Sequence, residues 1–115
     1  MKDDIVERVE AEFPTLMSEF RKIQEEQYRL FARKHHDYGL KNILCGEDVT
    51  KPEGRKIPIM GLVFRMRDKM ERLVNLVLRG KEQFVEQEAV TDTFRDLSIY
   101  GVIAQIVEKG KWVEN

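Results

Sequence analysis

Three acids, Glu88, Asp92 and Asp96, recur every four residues inside the strongly apolar stretch EQEAVTDTFRDLSIYGVIAQIV of residues 86–107. On a helix that spacing makes one stripe, and a drift of about 40° per step carries the stripe on into Ile99, Ile103 and Ile106. Carboxylates on a face that buries itself one turn later must be paired or ligated, because an unpaired buried charge costs several kcal/mol, roughly. The stretch before it, GLVFRMRDKMERLVNLVLR at 61–79, carries a second pair of acids three apart, Asp68 and Glu71. Five carboxylates on neighbouring helices, without cysteine or histidine among them, form an oxygen-only donor set of the kind hard cations prefer. Magnesium fits it, and manganese is the alternative. The chemistry implied is phosphoryl or pyrophosphoryl transfer, in which metal ions bridge phosphate oxygens and activate a water. Arg65, Lys69 and Arg72 stand on the same segment as Asp68 and supply positive charge for phosphate; Arg adds a planar bidentate fork.

A purely structural reading competes with this one. Arg65, Asp68, Lys69, Glu71 and Arg72 alternate in sign as solvated helix faces do, where an ion pair contributes only about 0.3–0.5 kcal/mol. Asp92 and Asp96 need a cation or a metal, and Arg65 or Arg72 would satisfy them as a buried salt bridge. His35 and His36 read as helix-end residues favoured by the dipole rather than as ligands. Tyr38 and Asn42 either close a helix end or stack on and hydrogen-bond a base. No glycine-rich phosphate loop is present, and no serine or cysteine stands beside a histidine as a nucleophile would.

The elements that must position these groups are helices. Asp3 or Asp4 caps a first helix with Ile5, Val9 and Phe13 on one side, closed or bent by Pro14. A longer helix runs from Thr15 to near His36, with Leu16, Phe20, Ile23, Leu30 and Phe31 as its apolar stripe and Glu25 with Arg29 as a solvent-side pair. Asp37, Tyr38 and Gly39 end it, Gly39 at a left-handed position. Residues 42–58, NILCGEDVTKPEGRKIP, have two glycines, two prolines and no sustained period, and so read as a mobile loop. In the next helix Leu62, Met66, Met70, Leu73 and Val77 form the apolar face, with Arg65, Asp68, Arg72 and Asn75 opposite. The whole chain, 1–115, reads as one all-α domain, an antiparallel bundle of about four helices. The last helix is apolar on two sides, Val90, Phe94, Leu97, Gly101 and Ala104 on one and Ile99, Ile103 and Ile106 on the other. A homodimer or higher oligomer is the expected cover.

Composition narrows the class. With 42% hydrophobic and 36% charged residues and a net charge of -1, the chain lacks the basic field that binding long nucleic acid requires. The single Cys45 has no intramolecular disulfide partner, which fits a reducing, cytoplasmic setting. The opening MKDDIVERVEAEF has acids where a signal peptide has its apolar core, and no apolar run approaches membrane-spanning length.

Three ordered motifs, K-x-x-D-Y-G in KHHDYGLKNI (34–43), R-x-x-D-K-x-x-R-L in GLVFRMRDKMERLVNL (61–76) and D-T-x-x-D-L-x-x-Y in EAVTDTFRDLSIYGVI (88–103), are spread over about two thirds of the chain. Together they resemble the nucleotide modification associated domain 1 family, whose members are common in bacteriophage genomes and linked to nucleotide metabolism or DNA modification. A more distant likeness is to the MazG-like all-α nucleoside triphosphate pyrophosphatases, which hold magnesium with E-x-x-E on one helix and E-x-x-D on the next. Asp68-Lys-Met-Glu71 resembles the first of these with Asp leading; the second is replaced by the spacing of four in Glu88, Asp92 and Asp96. The resemblance implies a magnesium-dependent nucleotide pyrophosphohydrolase, in the host cytoplasm if viral, with a nucleotide-binding relative without chemistry as the alternative. It implies Asp68, Glu71, Asp92 and Asp96 as metal and catalytic residues, with Glu88 as a fifth metal ligand. Lys34, Arg65, Lys69 and Arg72 would contact phosphates, and Asp37, Tyr38, Asn42 and Asn75 would contact base or sugar.

Overall fold

The computed structural model describes residues 4–82 and 90–115, and among them every regular element is helical. The chain divides into two compact units, residues 1–36 and 37–115. In the first, α1 (Asp4–Glu12) is followed after Phe13 alone by α2 (Pro14–Tyr38), whose last two residues belong to the second unit. Pro14 opens α2 instead of preceding it, because its missing N–H is one of the donors a first turn leaves unused anyway. An ion pair from Arg21 to Glu10, 3.5 Å, joins the two helices, and Glu25 meets Arg29 at 3.1 Å as the spacing of four predicts. The helix runs on to Tyr38 and stops at Gly39, whose φ of +69° is the left-handed turn expected there.

The second unit holds α3 (Lys41–Leu44), a 3-10 turn (Pro52–Gly54), α4 (Lys56–Leu73) with a π-helical turn (Val74–Leu78) continuing it, and α5 (Val90–Glu108). The segment 42–58 is mostly turns and bends, with the end of α3, the 3-10 turn and the start of α4 inside it. Val49 and Gly54 are buried within it, and α4 already begins at Lys56, with Pro58 in its first turn where no hydrogen bond is lost. Its anchor is Arg55. That guanidinium donates from Nε to Val49 O (2.7 Å), from Nη1 to Glu108 O (3.1 Å) and from Nη2 to Thr50 O (3.3 Å), tying the segment to the end of α5. Ahead of it Asp48 Oδ1 accepts from the Thr50 hydroxyl (2.6 Å) and from Thr50 N–H (3.0 Å), and these bonds, the hydroxyl's first, hold its carboxyl below the ordinary value. Gly110 completes the arrangement. It terminates α5 at φ +69° with Gly110 N–H on Val107 O and Lys111 N–H on Ile106 O, and a Cβ there would sit 2.6 Å from Arg55 Nη2.

Lysine cannot reproduce a planar fork that reaches three carbonyls at once. Arg55→Lys is expected to lower the unfolding free energy by about 2 kcal/mol, read from urea denaturation. The control Arg79→Lys, at an exposed pair, should stay within about 0.5 kcal/mol. Equal losses in the two variants would reject the anchor.

The core of this unit lies where α4 packs on α5 and where the tail returns. Leu62 and Leu73 from α4, Ile103 and Val107 from α5, and Ile43, Val49 and Trp112 are its buried apolar residues. Trp112 therefore packs back on its own chain, its Nε1 donating to Leu40 O at 3.2 Å. The face that apolar periodicity predicts on this segment holds in part, with Leu62 and Leu73 buried and Met66 half-buried. Met70 and Val77 are 51% and 54% exposed, while Arg65, Lys69 and Arg72 are half-buried toward the packed side. The reason is the partner surface: α5 presents Asp96 there, and long basic side chains bury their stems while their heads find an anion. On α5 the expected two-sidedness holds in part, with Ile103 buried, Ile99 and Ile106 half-buried, and Phe94 and Val102 exposed. No helix among the described residues is long and apolar enough to cross a membrane.

Candidate functional site

Asp92 and Asp96 lie one turn apart on α5 and are both drawn toward cations. Lys69 Nζ of α4 stands 3.3 Å from Asp96 Oδ2, and the two side chains are only 22% and 17% exposed. Arg95 serves both acids, with Nη1 3.3 Å from Asp92 Oδ1 and Nη2 3.8 Å from Asp96 Oδ1. Beside them Thr93 is fully buried, and Arg65 and Arg72 line the same side of α4, at spacings of four and three around Lys69. Arg65 Nη2 donates to Asn42 O at 2.9 Å, which fixes its guanidinium over α3. Among the described residues the seam between α4 and α5 sets Lys69 and Arg95 against Asp92 and Asp96, with Arg65 and Arg72 half-buried on α4 to either side of Lys69 in sequence. Guanidinium and ammonium groups of this kind suit an anion with several oxygens.

Asp68 and Glu71 are exposed on α4, and Glu71 Oε1 meets Arg79 Nη1 at 3.3 Å. The same Arg79 Nη1 donates to Asn75 Oδ1 at 2.8 Å, so Glu71, Asn75 and Arg79 form a group of their own at the π-helical turn. Glu88 lies outside the described residues. Asp37 and Tyr38 end α2, both exposed, and Asn42 is engaged through its main-chain carbonyl, its side chain being at the surface. Lys34 is exposed in the first unit, where His35 stacks on Phe31 with ring centroids 5.6 Å apart. Among the described residues no group of three or more His, Cys, Asp or Glu side chains is gathered closely enough to hold a metal ion. Asp92 and Asp96 supply two carboxylates, ligands of the kind a hard cation takes.

Two participants escape a reading by residue type. Arg95 sits three residues after Asp92 and beside Asp96, a spacing that an ion-pair search along a single helix finds at once; attention to arginines on the preceding helix passes over it. Its Nε is buried without a hydrogen-bond partner among the described residues. Thr93 carries no such signal, since nothing in a lone threonine beside an aspartate distinguishes a buried one. No family model, no curated protein and no solved structure matches the chain.

Proposed function

We propose that this chain binds a nucleotide through its phosphates at the α4–α5 seam and, with magnesium, hydrolyses the nucleotide to a monophosphate and pyrophosphate. The observation that carries the reading is the pair Asp92 and Asp96, one turn apart and partly withdrawn from water, set against the cation row Arg65, Lys69, Arg72 and Arg95. Asp92 and Asp96, with Glu88 four positions earlier in the sequence, would hold the metal; Asp68 and Glu71 are the further candidates. Bound magnesium supplies phosphate-charge neutralisation and a more acidic water. The chain's own groups do the rest. Arg65 and Arg72 bind phosphate oxygens bidentately, Lys69 exchanges Asp96 for a phosphate oxygen, and Arg95 keeps Asp92 aimed. Tyr38, Asn42, Asp37 and Asn75 are the proposed contacts to base and sugar. The resemblance to the nucleotide modification associated domain 1 family supports a phage-type role in nucleotide metabolism, in the host cytoplasm.

A second reading is favoured by one observation: Asp96 already faces two cations, Lys69 and Arg95, as it would in a protein that sequesters a nucleotide without chemistry. The two separate cleanly. Incubation of the purified protein with each nucleoside triphosphate, modified pyrimidines included, and magnesium should release monophosphate and pyrophosphate. Asp92→Asn should then lose at least about 100-fold in kcat with binding retained, the behaviour of a group needed mainly for the transition state. Turnover absent for every nucleotide, together with binding that survives chelator and Asp92→Asn, would leave the sequestering protein. No binding of any nucleotide would reject both.

A further inference from the structure

We propose that the apolar stripe of α1 and α2 is the interface with a second copy of this chain, the two α2 helices pairing antiparallel about a two-fold axis near Phe20. Val6, Val9, Phe13, Leu16, Phe20 and Ile23 step alternately by three and by four, the spacing of a coiled-coil seam. Neither helix contributes a buried residue, and Leu16 and Phe20 at the middle of the stripe are 61% and 60% exposed. Alpha-helices of 9 and 25 residues that leave such a stripe bare do not hold their shape in water by propensity alone. Something apolar covers it.

The charge pattern says what. Helix α1 carries Asp4, Glu7, Glu10 and Glu12 against the single Arg8, whereas the last turns of α2 carry Arg29, Arg33 and Lys34 against Asp37. One end of the stripe is therefore acidic and the other basic. A second copy laid antiparallel sets the acidic end of each chain beside the basic end of the other, and a parallel copy sets like against like. Such self-complementarity is what an isologous two-fold contact requires and what an unrelated partner would have no reason to share. At about 37 Å, α2 is long enough for a seam within the ordinary size range of stable interfaces.

The interface makes no use of the nucleotide reading and is tested without nucleotide. Sedimentation equilibrium of the full chain should give twice the 13.6 kDa chain mass at micromolar concentration. Phe20→Asp, changed in both copies at the axis, should raise the dimer dissociation constant about 100-fold or more. Because that variant also alters an apolar helix face, a charge exchange at exposed positions accompanies it. Glu7→Lys with Glu12→Lys should weaken the dimer about 10-fold, and adding Arg29→Glu, Arg33→Glu and Lys34→Glu should restore it. In a Cys45→Ser background, Phe20→Cys should give a covalent dimer with a short bifunctional maleimide, and a cysteine at the off-seam Tyr28 should not. A monomeric wild-type chain at 100-fold higher concentration would overturn the proposal. So would a dimer insensitive to Phe20→Asp, or one whose charge-exchanged form is not restored.

Discussion

Trp112→Ala is expected to lower the unfolding free energy by about 3–5 kcal/mol, one of the two largest single losses in this chain. Trp112 is 5% exposed and is held from two sides, by apolar packing around its ring and by the bond from Nε1 to Leu40 O at 3.2 Å. Alanine removes both and leaves a cavity at the point where the tail after α5 meets the start of α3. Trp112→Phe separates the terms. The ring body stays, the donor goes, and Leu40 O is left without that partner, so the loss should fall to about 1–2 kcal/mol. Urea denaturation followed by far-ultraviolet circular dichroism measures both, since Trp112 is the chain's only tryptophan and its fluorescence disappears with it. An alanine variant within 1 kcal/mol of wild type, roughly, would show that the tail contributes little to this unit.

That return of the tail marks the boundary of what residue order conveys. Local rules work where a single helix decides the outcome: Gly39 ends α2 in the left-handed region, Glu25 meets Arg29, and Asp92 and Asp96 turn partly inward because their stripe leads into Ile103. They fail where the partner surface decides. Met70 and Val77 have the apolarity of a core face, yet Lys69 is on the packed side because its nearest anion, Asp96, comes from 27 positions further along the chain. Periodicity weighs the apolar residues of one helix and cannot see a carboxylate supplied by another. The segment 42–58 escapes for a related reason. Its contacts depend on Val49 finding a place in the core and on Arg55 finding Glu108 O, both long-range events without a local period. The candidate site was legible as a set of acids and bases. Which acid meets which base was not: Arg95, on the same helix as both acids, stands beside Asp92 and Asp96.

The same segment yields the other large effect. Gly54 is buried, and a Cβ built on it would overlap the carbonyl oxygen of Asp48, with the Asp48 carbonyl carbon at 2.7 Å. The obstacle is backbone, so no rotamer relieves it, and the backbone in question is fixed on both sides. Asp48 is bound to Thr50 through its own side chain, and the next residue, Val49, is buried with its carbonyl taken by Arg55. Moving the Asp48 peptide aside would pull Val49 from the core or break the Arg55 bond. Gly54→Ala should therefore destabilise by about 3 kcal/mol, the upper part of the range for overpacked sites. Gly46→Ala is the matched comparison. Gly46 has φ +80° and nothing within 4 Å of its would-be Cβ, so its alanine meets only the left-handed backbone penalty of about 1–2 kcal/mol. Urea midpoints should rank Gly54→Ala below Gly46→Ala, with wild type above both. Because Gly54 gains nothing from a left-handed conformation, a loss no greater than that of Gly46→Ala would mean that the Asp48 peptide yields. The segment before α4 would then be held by Arg55 alone.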